Sequence, residues 1–247
     1  MHLFEFNDQP YLPESIRATL RDLCELCNSG FRSFNHEVAK QVLARARAQG
    51  SRTIVELGAG TAPITRILAA DPEAQGMTLV PCDLLPDLDA YRELAAAHPD
   101  TVRPCEESVD YTRPKSWGPG SIAVLVGTFH HIDPRDRDRT LAALSKSADH
   151  VMVFEPLRNT PFSMLLSTTA VVPALLLPLA YLGKPGRLRR FLWCWAVPVV
   201  PFIFFWDGLV SCIRQWSPRT WFKRLATAAP ARQPTIDAGL HSLTASW

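Results

Sequence analysis

The residues best suited to chemistry lie where apolar runs end. In Val55-Glu56-Leu57-Gly58-Ala59-Gly60-Thr61-Ala62-Pro63, two glycines follow an apolar run and Pro63 stands where a helix can begin. Glycine lets the backbone turn tightly and approach a ligand with no side chain between them, and the free amides of a helix's first turn attract negative charge. Pro81-Cys82-Asp83-Leu84 closes the next apolar run, where a carboxylate can accept both hydroxyls of a ribose. A plain glycine turn with a helix-capping aspartate would leave Glu56, set between Val55 and Leu57, unexplained. Nucleoside binding by Glu56, Gly58, Ala59, Gly60, Asp83 and Leu84 is the expectation. Two further groups could move a proton near neutral pH: His130 and His131, directly after the apolar run 122–126, and Glu155, at the end of 151–154. Either histidine could equally pack or bond a loop carbonyl, and Glu155 could hold a loop through backbone amides.

These positions require a particular scaffold. Short apolar runs at 53–57, 77–82, 102–105, 122–126 and 151–154 alternate with helical stretches at 63–70, 87–97 and 136–145. Five buried strands joined by crossovers imply a doubly wound, mostly parallel sheet with helices on both faces, and ligands bind at the carboxyl ends of such strands. Ahead of the sheet, Ser15 can cap a helix over 16–26, and a second amphipathic stretch runs from His36 to Ala48 and stops at Gly50.

Val-Glu-Leu-Gly-Ala-Gly-Thr resembles the first motif of the class I S-adenosylmethionine-dependent methyltransferases, with Glu56 as the acidic residue before the glycines. The resemblance spans residues 30–157. It implies a Rossmann-like α/β fold, S-adenosyl-L-methionine as cofactor and a methyltransferase activity. Asp83 matches the acid that the family places on the ribose. Val109-Asp110-Tyr111 matches the segment whose acid meets the adenine amino group, so the resemblance adds Val109 and Asp110. Val126-Gly127-Thr128-Phe129-His130-His131-Ile132 resembles the segment after the fourth strand in small-molecule and quinone-type members, which adds Thr128, and Val153-Phe154-Glu155-Pro156 resembles the end of the fifth strand. Where a third glycine is common this chain has Ala62, so a tighter helix start with intact binding is expected. The family closes its sheet with an antiparallel strand pair, and 234–247 leaves room only for an abbreviated or rearranged one.

The formal charge of +2 conceals an asymmetry: residues 1–157 sum to −6, while 158–224 carry nine Lys or Arg and one Asp. Residues 159–183 are uncharged throughout. Residues 161–182 would span about 33 Å as a straight helix, enough for a hydrocarbon core, whereas 191–206 reach only about 24 Å. Prolines at 173, 178, 198 and 201 interrupt both stretches, and a spanning hairpin would push the basic loop Lys184 to Arg190 across the membrane against the positive-inside tendency. An insert entering one leaflet or lying on its surface suits the sequence best, with Arg187, Arg189 and Arg190 at anionic head groups. A folded lid over a greasy pocket, or a homodimer interface, is the other reading. The block Trp206-Asp207-Gly208-Leu209-Val210-Ser211-Cys212-Ile213-Arg214 resembles that of a bacterial methyltransferase subgroup with such an insert. Asp207 and Arg214 would share a helix face and anchor the insert to the main domain.

These readings predict four segments: a helical cap (1–50), a cofactor-binding Rossmann-like core (51–157), an apolar helical insert after the fifth strand (158–206), and a C-terminal helix with the end of the core (207–247). The expected protein is a cytoplasmic enzyme, peripheral or monotopic at the inner membrane, that methylates an oxygen of a hydrophobic or lipid-like small molecule. A non-catalytic cofactor-binding scaffold, or more distantly a nucleotide-dependent oxidoreductase, would use the same glycine loop. No metal is expected, since Asp133, Asp136 and Asp138 alternate with Arg135, Arg137 and Arg139 as a solvated helix start does. No nucleic acid is expected, because the basic residues adjoin aliphatic runs instead of an aromatic-studded strand face. The six cysteines form no disulfide framework, and Cys24-x-x-Cys27 reads as one helix face in a reducing compartment.

Overall fold

The computed structural model describes residues 3–247 apart from Asp8, Pro10, Phe31, Ala170 and His241, and apart from the side chains of residues 28–30. In chain order the elements are α1 (Glu14–Gly30), α2 (Arg32–Gln49), β1 (Thr53–Leu57), α3 (Pro63–Ala69), β2 (Thr78–Cys82), α4 (Leu88–Ala97), β3 (Ser121–Val126), α5 (Arg137–Ser147) and β4 (His150–Glu155). They continue with α6 (Pro161–Thr168), α7 (Val171–Ala180), α8 (Arg187–Phe191), α9 (Val199–Arg214), α10 (Pro218–Ala228), β5 (Thr235–Ala238) and β6 (Leu243–Ser246). Two compact units result, one of residues 33–156 with 216–247 and the other of residues 1–32 with 157–215. The division falls after the first residue of α2, so the two N-terminal helices expected as one cap serve different units.

The first unit is built on a sheet of order β2-β1-β3-β4-β6-β5, with β6 antiparallel to β4 and β5 and the other pairs parallel. Strand side chains alternate between faces, and the alternation sorts the core. Ile54, Ile122, Val124, Met152 and Phe154 join a cluster with Val38 and Val42 of α2, Ile64 and Leu68 of α3, and Tyr91 and Leu94 of α4. Val55, Ala123, Leu125, Val151 and Val153 join the other, with Leu141 and Leu144 of α5 and Trp221 and Leu225 of α10. Both faces are covered, as the near-continuous apolar strands require. The C-terminal pair is short but fully registered, from Thr235↔Ser246 to Ala238↔Leu243, and Trp247 exchanges both backbone bonds with Val151.

The run at 102–105 does not become a named strand, and the reason is a missing donor. Leu79 N–H donates to Thr101 O, and Arg103 and Cys105 N–H donate to Leu79 O and Pro81 O, so the segment does run parallel along β2. The next bond in that ladder would need an amide hydrogen on residue 81, and proline has none. The pairing reduces to the single bridge Leu79↔Val102. At the N-terminus, α1 begins at Glu14, with Ile16 and Arg17 N–H donating to Pro13 O, so Ser15 lies inside the first turn instead of capping it.

The second unit packs α1 against the apolar insert. Helical spacing on α1 brings Ile16, Leu20 and Leu23 to one face, where they join a cluster with Ala174 and Leu177 of α7, completed by Cys194, Val200 and Ile203. Pro161–Ala180 spans 20 residues, long and apolar enough to cross a membrane, and Arg187–Ala196 bends by 69° against Val199–Arg214. The bend follows a wide turn at Leu192–Ala196 and Pro198, which has no amide hydrogen to continue the helix. Arg187 is exposed, but Arg190 points inward, only 4% exposed, with its Nε 2.7 Å from Asp22 and its guanidinium 4.8 Å from the Tyr181 ring. Arg189 also bonds Asp22. Of the three arginines expected at head groups, Arg190 is instead part of the unit's interior.

Asp207 and Arg214 hold the N-terminal segment. The Asp207 carboxylate accepts from the amides of Phe6 (2.7 Å) and Asn7 (3.0 Å), and Arg214 donates to Leu3 O and pairs with Glu5 at 3.1 Å. Ser211 Oγ lies 3.3 Å from Glu5 Oε1. The Trp-Asp-Gly block is therefore a seat for residues 3–7 within this unit.

Candidate active site

The glycine turn between β1 and α3 is closed on one side and open on the other. Gly58 has φ +68°, and a Cβ there would stand 2.5 Å from Thr128 Cγ2, so both the backbone conformation and the space demand glycine. Gly60, at φ +54°, has open space on its Cβ side. Ala59 N–H donates to Cys82 O at 3.0 Å, tying the turn to the end of β2. Asp83 finishes the closure: Oδ2 accepts Gly60 N–H at 2.8 Å and Oδ1 accepts Leu85 N–H at 2.9 Å. Ala62 sits in the left-handed region at φ 57°, ψ 52°, fully buried, with its N–H on Ala59 O at 2.7 Å. This left-handed conformation costs about 1–2 kcal/mol for a residue with a Cβ.

Glu56 acts on this loop through α3. Its carboxylate accepts the N–H of Ile64 (3.3 Å) and of Thr65 (2.8 Å) and the Thr65 hydroxyl (2.6 Å), filling a helix N-terminus that has no side-chain cap of its own. Burial pushes its carboxyl up to about 7 against the pull of those bonds, and the nearby Asp83 charge adds to the rise. Thr65 carried no signal in the sequence beyond its place in the helix.

The segment after the 102–105 run reaches the same edge. Val109 N–H donates to Asp83 O at 2.8 Å, and Ser108 Oγ donates to Leu84 O at 2.7 Å. Asp110 is exposed, its carboxylate accepting Thr112 N–H and Oγ1–H at 2.8 and 2.7 Å. Leu84 is half exposed.

After β3 the chain turns at Gly127, and Thr128 Oγ1 donates to Val126 O at 2.9 Å. The next residues meet Glu155. Glu155 is fully buried at the end of β4; Oε2 lies 2.7 Å from His130 Nδ1, and Oε1 accepts His130 N–H at 3.2 Å. Held at both its Nδ1 and its backbone N–H by one buried carboxyl group, the His130 ring has a fixed orientation. Glu155 thus does bond a backbone amide, and it orients a histidine as well. The His131 ring lies against that of His130, centroids 4.2 Å apart.

Arg137 completes the arrangement, and nothing in the sequence distinguishes it within its charged run. It is 2% exposed and donates from Nε to Ile132 O (3.0 Å) and from Nη2 to His130 O (2.8 Å), while its guanidinium lies 5.7 and 5.3 Å from the Phe129 and Trp216 rings. The run is a solvated helix start at Arg135, Arg139 and Asp138, the last paired with Arg224, but not at Arg137.

The arrangement is a backbone cradle with a carboxylate acceptor, beside an oriented imidazole at the carboxyl ends of parallel strands. No family model matches the sequence, and no curated protein does. Solved structures match over nearly the whole chain. The plantazolicin methyltransferase BpumL, solved in complex with SAH, superposes with a TM-score of 0.62 at 9% identity over 96% of this chain and 90% of its own. The fold is that of the class I methyltransferases. The mitomycin 7-O-methyltransferase MmcR (TM-score 0.54, 15% identity, 90% of this chain and 56% of its own) and the methyltransferase domain of bacterial CtHen1 (0.52, 11%, 86% and 97%) share the methyltransferase fold. This chain spans about three fifths of the length of several O-methyltransferase structures that it matches.

Proposed function

We propose that the protein transfers a methyl group from S-adenosyl-L-methionine to an oxygen of a hydrophobic, lipid-like acceptor at the cytoplasmic surface of a membrane. The carrying observation is the Gly58–Gly60 turn, closed by Asp83 and packed on Thr128, at the carboxyl ends of the parallel strands. The open side of Gly60 admits a ligand to the backbone, and Asp83 offers carboxylate oxygens for ribose hydroxyls. Val109 and Asp110 stand on the neighbouring segment for the base. When bound, S-adenosyl-L-methionine supplies an electrophilic methyl on a sulfonium, whose sulfide leaves without a proton.

The protein's own task is alignment and removal of the acceptor's proton. His130 Nε2 takes that proton, and Glu155 on Nδ1 stabilises the imidazolium that forms. Arg137 fixes the carbonyl of His130 and so the position of the ring.

Support for a hydrophobic partner comes from the second unit. Leu175, Leu176 and Leu179 of α7 are each 42–50% exposed while Ala174 and Leu177 pack on the cluster with α1, and Leu188, Phe191 and Trp195 are exposed around the following bend. With one side covered by α1 and the other apolar and exposed, these helices suit the surface of a leaflet better than a span.

Calorimetry with S-adenosylmethionine and S-adenosylhomocysteine tests the cofactor. Binding that is lost in Asp83→Ala is expected; no binding by the intact chain, or equal binding by the variant, overturns the reading. Lipid extract incubated with methyl-labelled cofactor should yield a labelled hydrophobic product by mass spectrometry. His130→Gln should lower that transfer by about 10²–10⁴ while leaving S-adenosylhomocysteine affinity unchanged.

A further inference from the structure

Two thiols sit directly behind the ribose-type carboxylate and have no part in the proposed reaction. Cys82 is the last residue of β2, fully buried, and is peptide-bonded to Asp83. The bridge Leu79↔Val102 and the bond from Cys105 N–H to Pro81 O set a parallel register that brings residue 105 opposite residue 82. Opposed residues of adjacent strands point to the same face, and both cysteines join the cluster that contains Val109, Tyr111 and Trp117. Cys82 S–H donates to Val80 O at 3.6 Å, so its sulfur stays on the side of β2 that faces Cys105, and the Lys115 ammonium stands beside Cys105. Cys105 is partly exposed where Cys82 is sealed.

We propose that Cys82 and Cys105 form a peroxide-sensitive thiol pair that closes to a disulfide and thereby weakens cofactor binding. The neighbouring Cys82 and Lys115 hold the Cys105 thiol down at about 7, against its burial and the Glu107 carboxylate, and Cys82 is pushed upward. Cys105 is therefore the attacking thiolate and Cys82 the resolving group. The Cys105 thiolate attacks a hydroperoxide oxygen; an S–O bond forms, the O–O bond breaks, and the departing oxygen leaves as hydroxide, which is protonated to water. Cys82 then attacks the sulfenic sulfur, giving up its proton as the S–S bond forms and the S–O bond breaks with loss of a second water. Two thiols are oxidised and one hydrogen peroxide is reduced.

The link to function runs through one residue on each side. Asp83 follows Cys82 and holds the Gly60 amide, while Val109, four residues past Cys105, donates to the Asp83 carbonyl. Drawing the two sulfurs to bonding distance moves both segments that position Asp83. This consequence rests on the proposed cofactor site; formation of the disulfide does not.

The full chain, reduced and then treated with an equivalent of hydrogen peroxide, should give one new linkage by peptide mass spectrometry, Cys82 to Cys105, reversed by dithiothreitol. Cys82→Ser should stop at a Cys105 sulfenic acid trapped by dimedone. S-adenosylhomocysteine affinity should fall about tenfold on oxidation and recover on reduction, and Cys105→Ser should bind as the reduced protein does under both conditions. Oxidation of Cys105 no faster than of Cys24 or Cys27, a different linkage, or equal affinity in both states would overturn the proposal. Absence of binding by the reduced protein would refute the cofactor reading instead, and the linkage result would still decide whether the thiols pair.

Discussion

Glu56→Gln tests whether burial or hydrogen bonding governs the carboxylate beneath the glycine turn. Its carboxyl ionises near pH 4.5 when unfolded and near 7 when folded. Between those values the folded state keeps a proton that the unfolded state has released, so stability falls as pH rises through the window and levels off above it. The full difference is about 3 kcal/mol. Glutamine keeps a carbonyl for the Thr65 amide but replaces an acceptor with an NH₂ donor near Ile64 N–H, a loss of about 1 kcal/mol. The variant should therefore be slightly less stable than the parent at pH 5 and more stable at pH 8, so that the two curves cross. Urea denaturation followed by circular dichroism at both pH values reads this. The difference between the two proteins isolates Glu56, since it cancels the opposing slope of His150, whose pKa burial lowers so that stability is lost as pH falls below its unfolded value. A parent protein whose stability, relative to Glu56→Gln, is flat or rises from pH 5 to 8 would show that the three hydrogen bonds and the helix N-terminus outweigh desolvation.

Other outcomes follow from contacts at the same edge and on the insert. Gly58→Ala should destabilise the fold by about 1–2 kcal/mol from backbone conformation alone, with a further loss from the approach to Thr128; Gly58→Ala with Thr128→Ser should recover part of that further loss, measured as a denaturation midpoint. Glu155→Gln should cost about 1–3 kcal/mol, because a buried amide and ring nitrogen lose a charged acceptor, and should depress methyl transfer more than it depresses cofactor affinity. Leu188→Glu with Phe191→Glu should reduce co-sedimentation with anionic liposomes at least about tenfold, given about 1.5–3 kcal/mol for each such side chain removed from water; unchanged sedimentation would remove the membrane surface as partner.

Legibility in the sequence followed locality. The glycine turn, Asp83 and the placement of His130 after a strand could be read because strand, turn and helix start adjoin one another, and each carries its own residue chemistry. The run at 102–105 misled because a strand also depends on its neighbour's donors, and Pro81 supplies none. Arg137 could not be told from Arg135 or Arg139, since only tertiary packing turns one of the three inward onto Phe129 and Trp216. Asp207 and Arg214 were rightly placed on one helix, but their partners lie about two hundred residues away at the other end of the chain, beyond any local pattern. Glu56 was legible as buried, and its service to Thr65 was not.

The seat that Asp207 and Arg214 make for residues 3–7 has a consequence for synthesis. A ribosome adding about 5–20 residues per second needs roughly 10–40 s to travel from one partner to the other. Until α7 is made, late in that interval, the first helix, with Ile16, Leu20 and Leu23 uncovered, has no cluster to join. Residues 33–156 can begin collapsing meanwhile, although their sheet still awaits β6. Helix α1 therefore stays apolar and uncovered through most of the synthesis of the residues between it and α7.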